Sequence, residues 1–236
     1  MSAHGIELFT FDCYGTLVDW ESGILAALAE CLPKGDDRPD DDRLLAAYAK
    51  LEGQFEADTP DRAYPEILED VARGLGEQFG FDVKDADAER FAGSVGDWKP
   101  FEDTVESMRR LRASGARLAI LSNVDRASFG RTAERLGCEL DAVWVAEDIG
   151  SYKPDRRNFE ALLAGAESLG IASEAVLHCA ESVRHDIDPA HEIGLSTAWV
   201  DRRMGRGGGA SGGRLPKAAP RYRVSGLGEL CDQLGL

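Results

Sequence analysis

No stretch of about eighteen uncharged apolar residues occurs in this sequence, which argues against a helical membrane span. The N-terminal segment MSAHGIELFTFDCYG has neither a basic region nor a long apolar run, so a secretory signal is not expected. The cytoplasm is the expected compartment. Cysteine is sparse: Cys13, Cys31, Cys138, Cys179 and Cys231 are odd in number, widely separated and form no CxxC pair. That pattern speaks against a disulfide framework or a zinc site and for thiols in a reducing environment. Cys13 reads as small buried filler. Positive charge is also short, with 27 Lys and Arg against 43 Asp and Glu, a formal charge of −16. Such a surface repels nucleic acid and anionic membrane, so neither is expected as a partner. It repels a small anionic substrate too, and that substrate would need local positive charge at its site. Part of the acidity lies in Asp36–Asp42, which reads as a solvated loop. No internal repeat is present.

What remains is an ordinary globular composition. The 236 residues are 43% hydrophobic, enough for a core domain carrying a smaller insert. Ile6–Asp12 is an apolar run ending in an acid and followed by Tyr14-Gly15-Thr16, which reads as a buried strand and a tight turn. From Glu21 to about Asp97 apolar residues recur at helical spacing, as in Leu44-Leu45-Tyr48-Leu51-Phe55 and Ile67-Leu68-Val71-Leu75. After Pro100 the pattern alternates. Helices are expected at Thr104–Ser114, Arg126–Leu136, Arg156–Ser168 and Asp186–Ile193, and strands at Arg117–Leu121, Ala142–Val145, Ala175–His178 and Ser196–Val200. Alternation of this kind predicts an α/β fold, a Rossmann-like parallel sheet with a helical cap domain inserted after the first strand. The core would be residues 1–18 and 100–236, and the cap 19–99. Gly205–Gly213 reads as a flexible linker.

Four polar clusters fall at or after the ends of predicted strands: Asp12, Ser122-Asn123, Lys153, and Glu181 with Asp186. The carboxyl ends of parallel strands open on a common crevice, so groups far apart in sequence converge there. Asp12-Cys13-Tyr14-Gly15-Thr16, Ser122-Asn123, Lys153-Pro154-Asp155 and Glu181…Asp186 together resemble the four ordered motifs of the haloacid dehalogenase superfamily. FDCYGTLVDW and YKPD are most similar to its L-2-haloacid dehalogenase branch.

The resemblance implies a hydrolase in which Asp12 is the nucleophile and a covalent ester is the intermediate. A carboxylate is competent to attack a halogen-bearing carbon, and the ester is later cleaved by water. Lys153 would lower the pKa of Asp12 and orient it, and Thr16 would hold its carboxylate. Ser122 and the Asn123 amide would receive the substrate's anionic group, with Tyr14 beside them. Asp186 would orient Lys153 or activate the hydrolytic water, and Glu181 or Asp186 would be the base for ester hydrolysis. His4, His178 and His191 read as structural or incidental, and His185 stays open between structure and function.

Phosphomonoesterases of the superfamily place a second Asp two residues after the nucleophile, to protonate the leaving alkoxide. Here Tyr14 stands there, and a phenol is a poor substitute acid. A halide leaves without a proton. Carbon–halogen hydrolysis of a small 2-haloacid to a hydroxy acid is therefore the expected reaction. No cofactor is expected; a phosphatase would bind Mg²⁺ through Asp12, the Tyr14 carbonyl, Glu181 and Asp186. That Mg²⁺-dependent phosphatase and a non-catalytic binding protein are the alternatives.

Several positions depart from the dehalogenase branch. Phe159 replaces a tyrosine, Glu181 and Val183 replace a serine and an asparagine, and Ala47 replaces the cap arginine that helps take the halide. Arg43 is the neighbouring stand-in. The resemblance further suggests a homodimer.

Overall fold

The computed structural model describes residues 3–29, 31–33, 38–204 and 213–236. Six parallel strands form one sheet in the order β3-β2-β1-β4-β5-β6. They are β1 (Leu8–Phe11), β2 (Arg117–Ser122), β3 (Ala142–Val145), β4 (Val176–Ala180), β5 (Ser196–Val200) and β6 (Tyr222–Val224). This is the doubly wound order, with its switch point between β1 and β4. Every side chain of β1 is buried, as required of a central strand covered on both faces. In the ladder Phe11 aligns with Ile120 of β2 and Cys179 of β4. The residues just beyond, Asp12, Ser122 and Glu181, thus share one edge of the sheet.

Between β1 and β2 lies a helical insert of α1 (Trp20–Leu28), α2 (Asp41–Asp58), α3 (Tyr64–Phe79) and α4 (Asp85–Gly93). The chain leaves and re-enters the core at one point, where Val18 bridges Pro100 and the Asp19 amide donates to the Lys99 carbonyl at 2.9 Å. The buried face of α3 is Ile67, Leu68, Val71, Ala72 and Leu75, the stripe expected from helical spacing. Ile24, Leu44, Ile67 and Phe91 join Phe9, Phe11 and Ile120 in one continuous apolar cluster.

The remaining helices are α5 (Thr104–Ala113), α6 (Arg126–Leu136), α7 (Ala146–Ile149), α8 (Arg156–Ser168), α9 (Asp188–Glu192) and α10 (Leu227–Gln233). Two of these starts are fixed by side-chain caps: at α6 Asp125 accepts from the Ser128 amide, and at α8 Asp155 accepts from the Arg157 amide.

The acidic segment expected as a loop is instead, in its described part, a helix start. Asp40 caps α2 by accepting from the Arg43 amide at 2.9 Å, and Asp41 and Asp42 occupy the first turn, where the helix dipole favours them. Asp36 and Asp37 lie outside the described residues, as does the glycine-rich stretch but for Gly213. The helix expected over Asp186–Ile193 is really a π turn, Val183–Ile187, running into α9. The strand expected at Ala175–His178 extends to Ala180, which carries Glu181 to the sheet edge. Strand β6 and helices α4, α7 and α10 were not anticipated from periodicity, three of the four being seven residues or fewer.

Candidate active site

At the switch point a cavity of about 380 Å³ lies between the sheet edge and the helical insert. Asp12, Ser122, Asn123, Lys153 and Asp186 line it from the core; Trp20, Tyr48, Glu52, Glu56 and Tyr64 line it from the insert.

Asp12 leaves β1 into a turn in which Gly15 takes a φ of 96°, a conformation that side chains resist. The turn brings Thr16 back over the acid, and its hydroxyl donates to Asp12 Oδ2 at 2.7 Å. The same hydroxyl accepts from the Glu181 amide at 2.9 Å. Arg202, following β5, donates from Nε and Nη2 to the Thr16 carbonyl at 3.1 and 2.7 Å. It also pairs with Asp103 at 2.8 Å and stacks on Phe101.

Lys153 Nζ donates to Asp12 Oδ1 at 2.8 Å, Asp186 Oδ1 at 2.7 Å and the Leu121 carbonyl at 3.0 Å. An ammonium has three protons, and all are committed. Lys153 therefore orients the acid and has none left for a substrate. Burial lowers the affinity of this amine for its proton, but the two carboxylates outweigh burial and raise its pKa.

One ammonium serves two carboxylates, and they share it unequally. Burial pushes the Asp12 carboxyl above its ordinary value, against the pull of Lys153, with Asp186 adding to the rise. Lys153 lowers the Asp12 pKa and orients the acid as expected, but desolvation exceeds that pull. Burial also acts to raise Asp186, but Lys153 and His178 hold it below the ordinary range. His178, read as incidental, reaches Asp186 Oδ1 with Nε2 at 3.0 Å and the Thr10 hydroxyl with Nδ1 at 2.9 Å. Phe159 packs edge-on against that imidazole, 5.9 Å between centroids. Asp186 Oδ2 is buried with no hydrogen-bond partner among the described residues, and so is the Ser122 hydroxyl. Leaving such atoms unsatisfied costs about 1–3 kcal/mol each, so both are poised for a ligand or water.

Other expected site residues are placed differently. The Asn123 side chain is already occupied: Oδ1 accepts from the Lys153 amide at 2.7 Å, and Nδ2 donates to the Lys153 carbonyl at 3.1 Å and to Glu56 at 3.2 Å. It clamps the lysine's backbone instead of offering a donor to substrate. Tyr14 lines the cavity with its ring, but its hydroxyl is bonded to Thr132 at 2.9 Å, and burial pushes its pKa up. The Glu181 side chain lines a neighbouring cavity with Arg202 and Arg203. What Glu181 gives the site is backbone, its amide to Thr16 and its carbonyl to Trp199 Nε1. Arg43 pairs with Asp40 and stacks over Phe79, away from the cavity lining, so it is no stand-in for a cap arginine.

The set Asp12, Tyr14, Glu181 and Asp186 does not suit a Mg²⁺ ion. Glu181 faces another cavity, and Asp12 and Asp186 converge on an ammonium. Among the described residues, no three His, Cys, Asp or Glu side chains gather as metal ligands.

Sequence reasoning missed the roof acids. Tyr48, Glu52 and Glu56 lie four residues apart along α2 and face the cavity together. Both tyrosine hydroxyls donate to Glu52 Oε1, Tyr48 at 2.8 Å and Tyr64 at 2.6 Å. Burial raises the Glu52 carboxyl, and burial followed by the charge of Glu52 raises Glu56 well above its usual value. The spacing was visible, but a helix-period reading assigns glutamates to the solvent face.

All five cysteines carry thiols, and among the described residues no helix is long and apolar enough to cross a membrane. The profile of haloacid dehalogenase-like hydrolases matches residues 6–194. An (S)-2-haloacid dehalogenase of Pseudomonas putida is 26% identical over 204 residues, covering 85% of this chain and 86% of that protein. Haloacetate dehalogenase H-2 of Moraxella sp. (strain B) is 27% identical, covering 84% and 86%. The structure of the L-2-haloacid dehalogenase from Xanthobacter autotrophicus with chloropropionic acid covalently bound superposes with a TM-score of 0.79 at 18% identity, covering 98% of each chain. That likeness speaks to the fold. With a profile spanning most of its length, an aspartate–lysine pair at the switch point and the doubly wound sheet beneath, this chain belongs to the family of haloacid dehalogenase-like hydrolases.

Proposed function

We propose that the protein hydrolyses the carbon–halogen bond of a small 2-haloacid, with Asp12 as nucleophile. The carrying observation is a buried carboxylate, held by Lys153 and Thr16 on the cavity floor, with no acid two residues further along the chain, the position from which a leaving alkoxide would be protonated. The Tyr14 hydroxyl, tied to Thr132, fills that position. An oxygen of Asp12 bonds to C2 while the halide departs with the bonding electrons, which needs no general acid. Water then attacks the Asp12 acyl carbon and gives a proton to Asp186 Oδ2. The acyl carbon–oxygen bond breaks, the hydroxy acid leaves with that proton, and the second proton of the water passes from the Asp12 carboxyl to solvent, which restores the carboxylate.

The dehalogenase relatives support this substrate class. In this reading residues 19–99 act as a cap that excludes water, hinged where Val18 meets Pro100, and residues 1–18 and 100–236 form the core. The working compartment is the cytoplasm, the enzyme works without a cofactor, and a homodimer is the proposed assembly.

The test is a parallel assay of halide release from 2-haloacids and phosphate release from an aryl phosphate, with and without EDTA. Halide and hydroxy acid should appear in equal amounts, indifferent to EDTA. Phosphate release that EDTA abolishes, without halide release, would establish the phosphatase instead; silence on both panels would favour a binding protein.

Asp186→Asn checks the second half of the cycle. Intact-mass spectrometry should find the protein heavier by the substrate less its halide, with the adduct on Asp12, as hydrolysis slows by about 10²–10⁴-fold. Normal turnover in that variant removes Asp186 from the hydrolytic step.

A further inference from the structure

A haloacid substrate requires the cavity to hold an anion, yet two of its four cations are spent. Four basic side chains line it: Lys50, Lys153, Arg184 and Arg214. Lys153 has committed its three protons to Asp12, Asp186 and Leu121. Arg214 pairs with buried Asp188 at 2.7 Å. Lys50, on α2, and Arg184, in the π turn after β4, are both exposed, and neither makes a hydrogen bond or an ion pair with a described residue. Arg184 is alone in this among the described arginines, and it stands on the core side of the cavity in the same turn as Asp186. In a chain with an excess of carboxylates, an arginine left over at the one place where anionic chemistry is proposed is a specific arrangement.

Its placement adds a second observation. Arg184 lines both the main cavity and a side cavity of about 250 Å³, and the two also share Glu56, Lys153 and His185. Its Nη1 passes over Gly53 of α2, where a Cβ would lie 3.6 Å from it. The guanidinium thus spans from the core loop to the helical roof. The groups facing it do not neutralise it: burial pushes His185 down to about 4, leaving it uncharged near neutral pH, and raises Glu56. A guanidinium is weakly hydrated and presents a planar fork of donors, suited to a carboxylate or a halide.

We propose that Arg184 anchors the small monovalent anion of this site, either the substrate carboxylate or the departing halide. The inference rests on the reading of the chain as a haloacid hydrolase. It places the anion-binding charge on the core, in the same turn as Asp186, so nucleophile, lysine and anchor stand on one rigid edge.

The test uses the full chain and the variants Arg184→Met and Arg184→Lys, with sodium iodide and 2-hydroxypropionate as probes. Trp20 and Trp98 line the cavity, so saturable quenching of their fluorescence by iodide, and its displacement by 2-hydroxypropionate, reads binding without turnover. Arg184 has no partner to lose, and equal melting temperatures should confirm intact folding. In Arg184→Met at least one of the two anions should bind about 10–100-fold more weakly, the loss of one charge-assisted contact, with partial recovery in Arg184→Lys. If the carboxylate is the ligand, 2-hydroxypropionate weakens and KM rises while kcat holds. If the halide is the ligand, iodide weakens and kcat falls. Unchanged binding of both anions in Arg184→Met, or no saturable binding of either by the wild-type protein, overturns the proposal. Loss of anion binding in the variant, with a wild-type protein that releases no halide, would leave the anion site standing and sink the dehalogenase reading.

Discussion

Replacing Lys153 by methionine should cost about 3–5 kcal/mol of stability and about 10³-fold in turnover. The variant keeps the length of the side chain and removes the charge. Asp12 and Asp186 then face one position from 2.8 and 2.7 Å with no cation in it, in a setting where all three side chains are almost wholly buried. Removing one partner of a buried ion pair is expensive because the other charge stays behind. At this chain length each kcal/mol moves Tm by about 2–4 °C, so a fall near 10 °C or more is expected. The loss should shrink as the pH drops. Without the ammonium both carboxyls titrate above their unfolded values, and such groups favour the fold at low pH and lose that contribution as pH rises through the folded pKa. Adding Asp186→Asn to the methionine variant should recover stability without recovering turnover. A melting temperature equal to that of the wild type would mean that lysine and carboxylates are not the coupled unit described.

Asp12→Asn should behave in the opposite sense for stability and more severely for activity. Turnover should fall by about 10⁴-fold or more, since no other carboxylate has the position to replace the nucleophile. Yet the variant should melt higher than the wild type near neutral pH. Burial holds the Asp12 carboxyl above its ordinary value, so ionising it works against the fold. Its favourable contribution is present below the unfolded pKa near 3.9 and is lost as pH rises through the folded pKa. An asparagine removes that cost at every pH above the window, and Lys153 keeps Asp186 as partner. The same shift fixes the acid limb of kcat/KM, which should lie above the ordinary aspartate value because only ionised Asp12 attacks. A melting temperature lowered by this substitution, or an acid limb at or below the ordinary value, would contradict the balance of burial over ion pairing.

These effects separate what the sequence makes legible from what it hides. Strand ends are legible: an apolar run that stops at an acid locates Asp12, and alternating elements locate Ser122, Lys153 and Asp186 along the same edge. Side-chain direction at those ends is not. Asn123 and Glu181 stand next to the right places, but one turns its amide onto the Lys153 backbone and the other lines a neighbouring cavity with Arg202. One residue of displacement past a strand reverses the face presented. Buried polar groups are the other blind spot. Glu52, Glu56 and His178 are inside because each meets hydroxyls, an amide or a carboxylate from other elements of the fold. Periodicity assigns such residues to water, since it counts apolar neighbours and cannot count partners brought by the fold. The short strand β6, three residues long, escapes for a simpler reason: too few positions to carry a period.

The grip of Arg202 on the Thr16 carbonyl has a consequence for how such a molecule diversifies. Arg202 follows β5, beyond residue 194 where the family match stops, and it braces the nucleophile turn from the far half of the sheet. The reacting acid is thereby fastened to the core segment that follows β5. Tyr48, Glu52 and Tyr64 can be exchanged for other side chains while the reactive floor stays put. Lineages that differ in diet can keep one engine and refit only its ceiling.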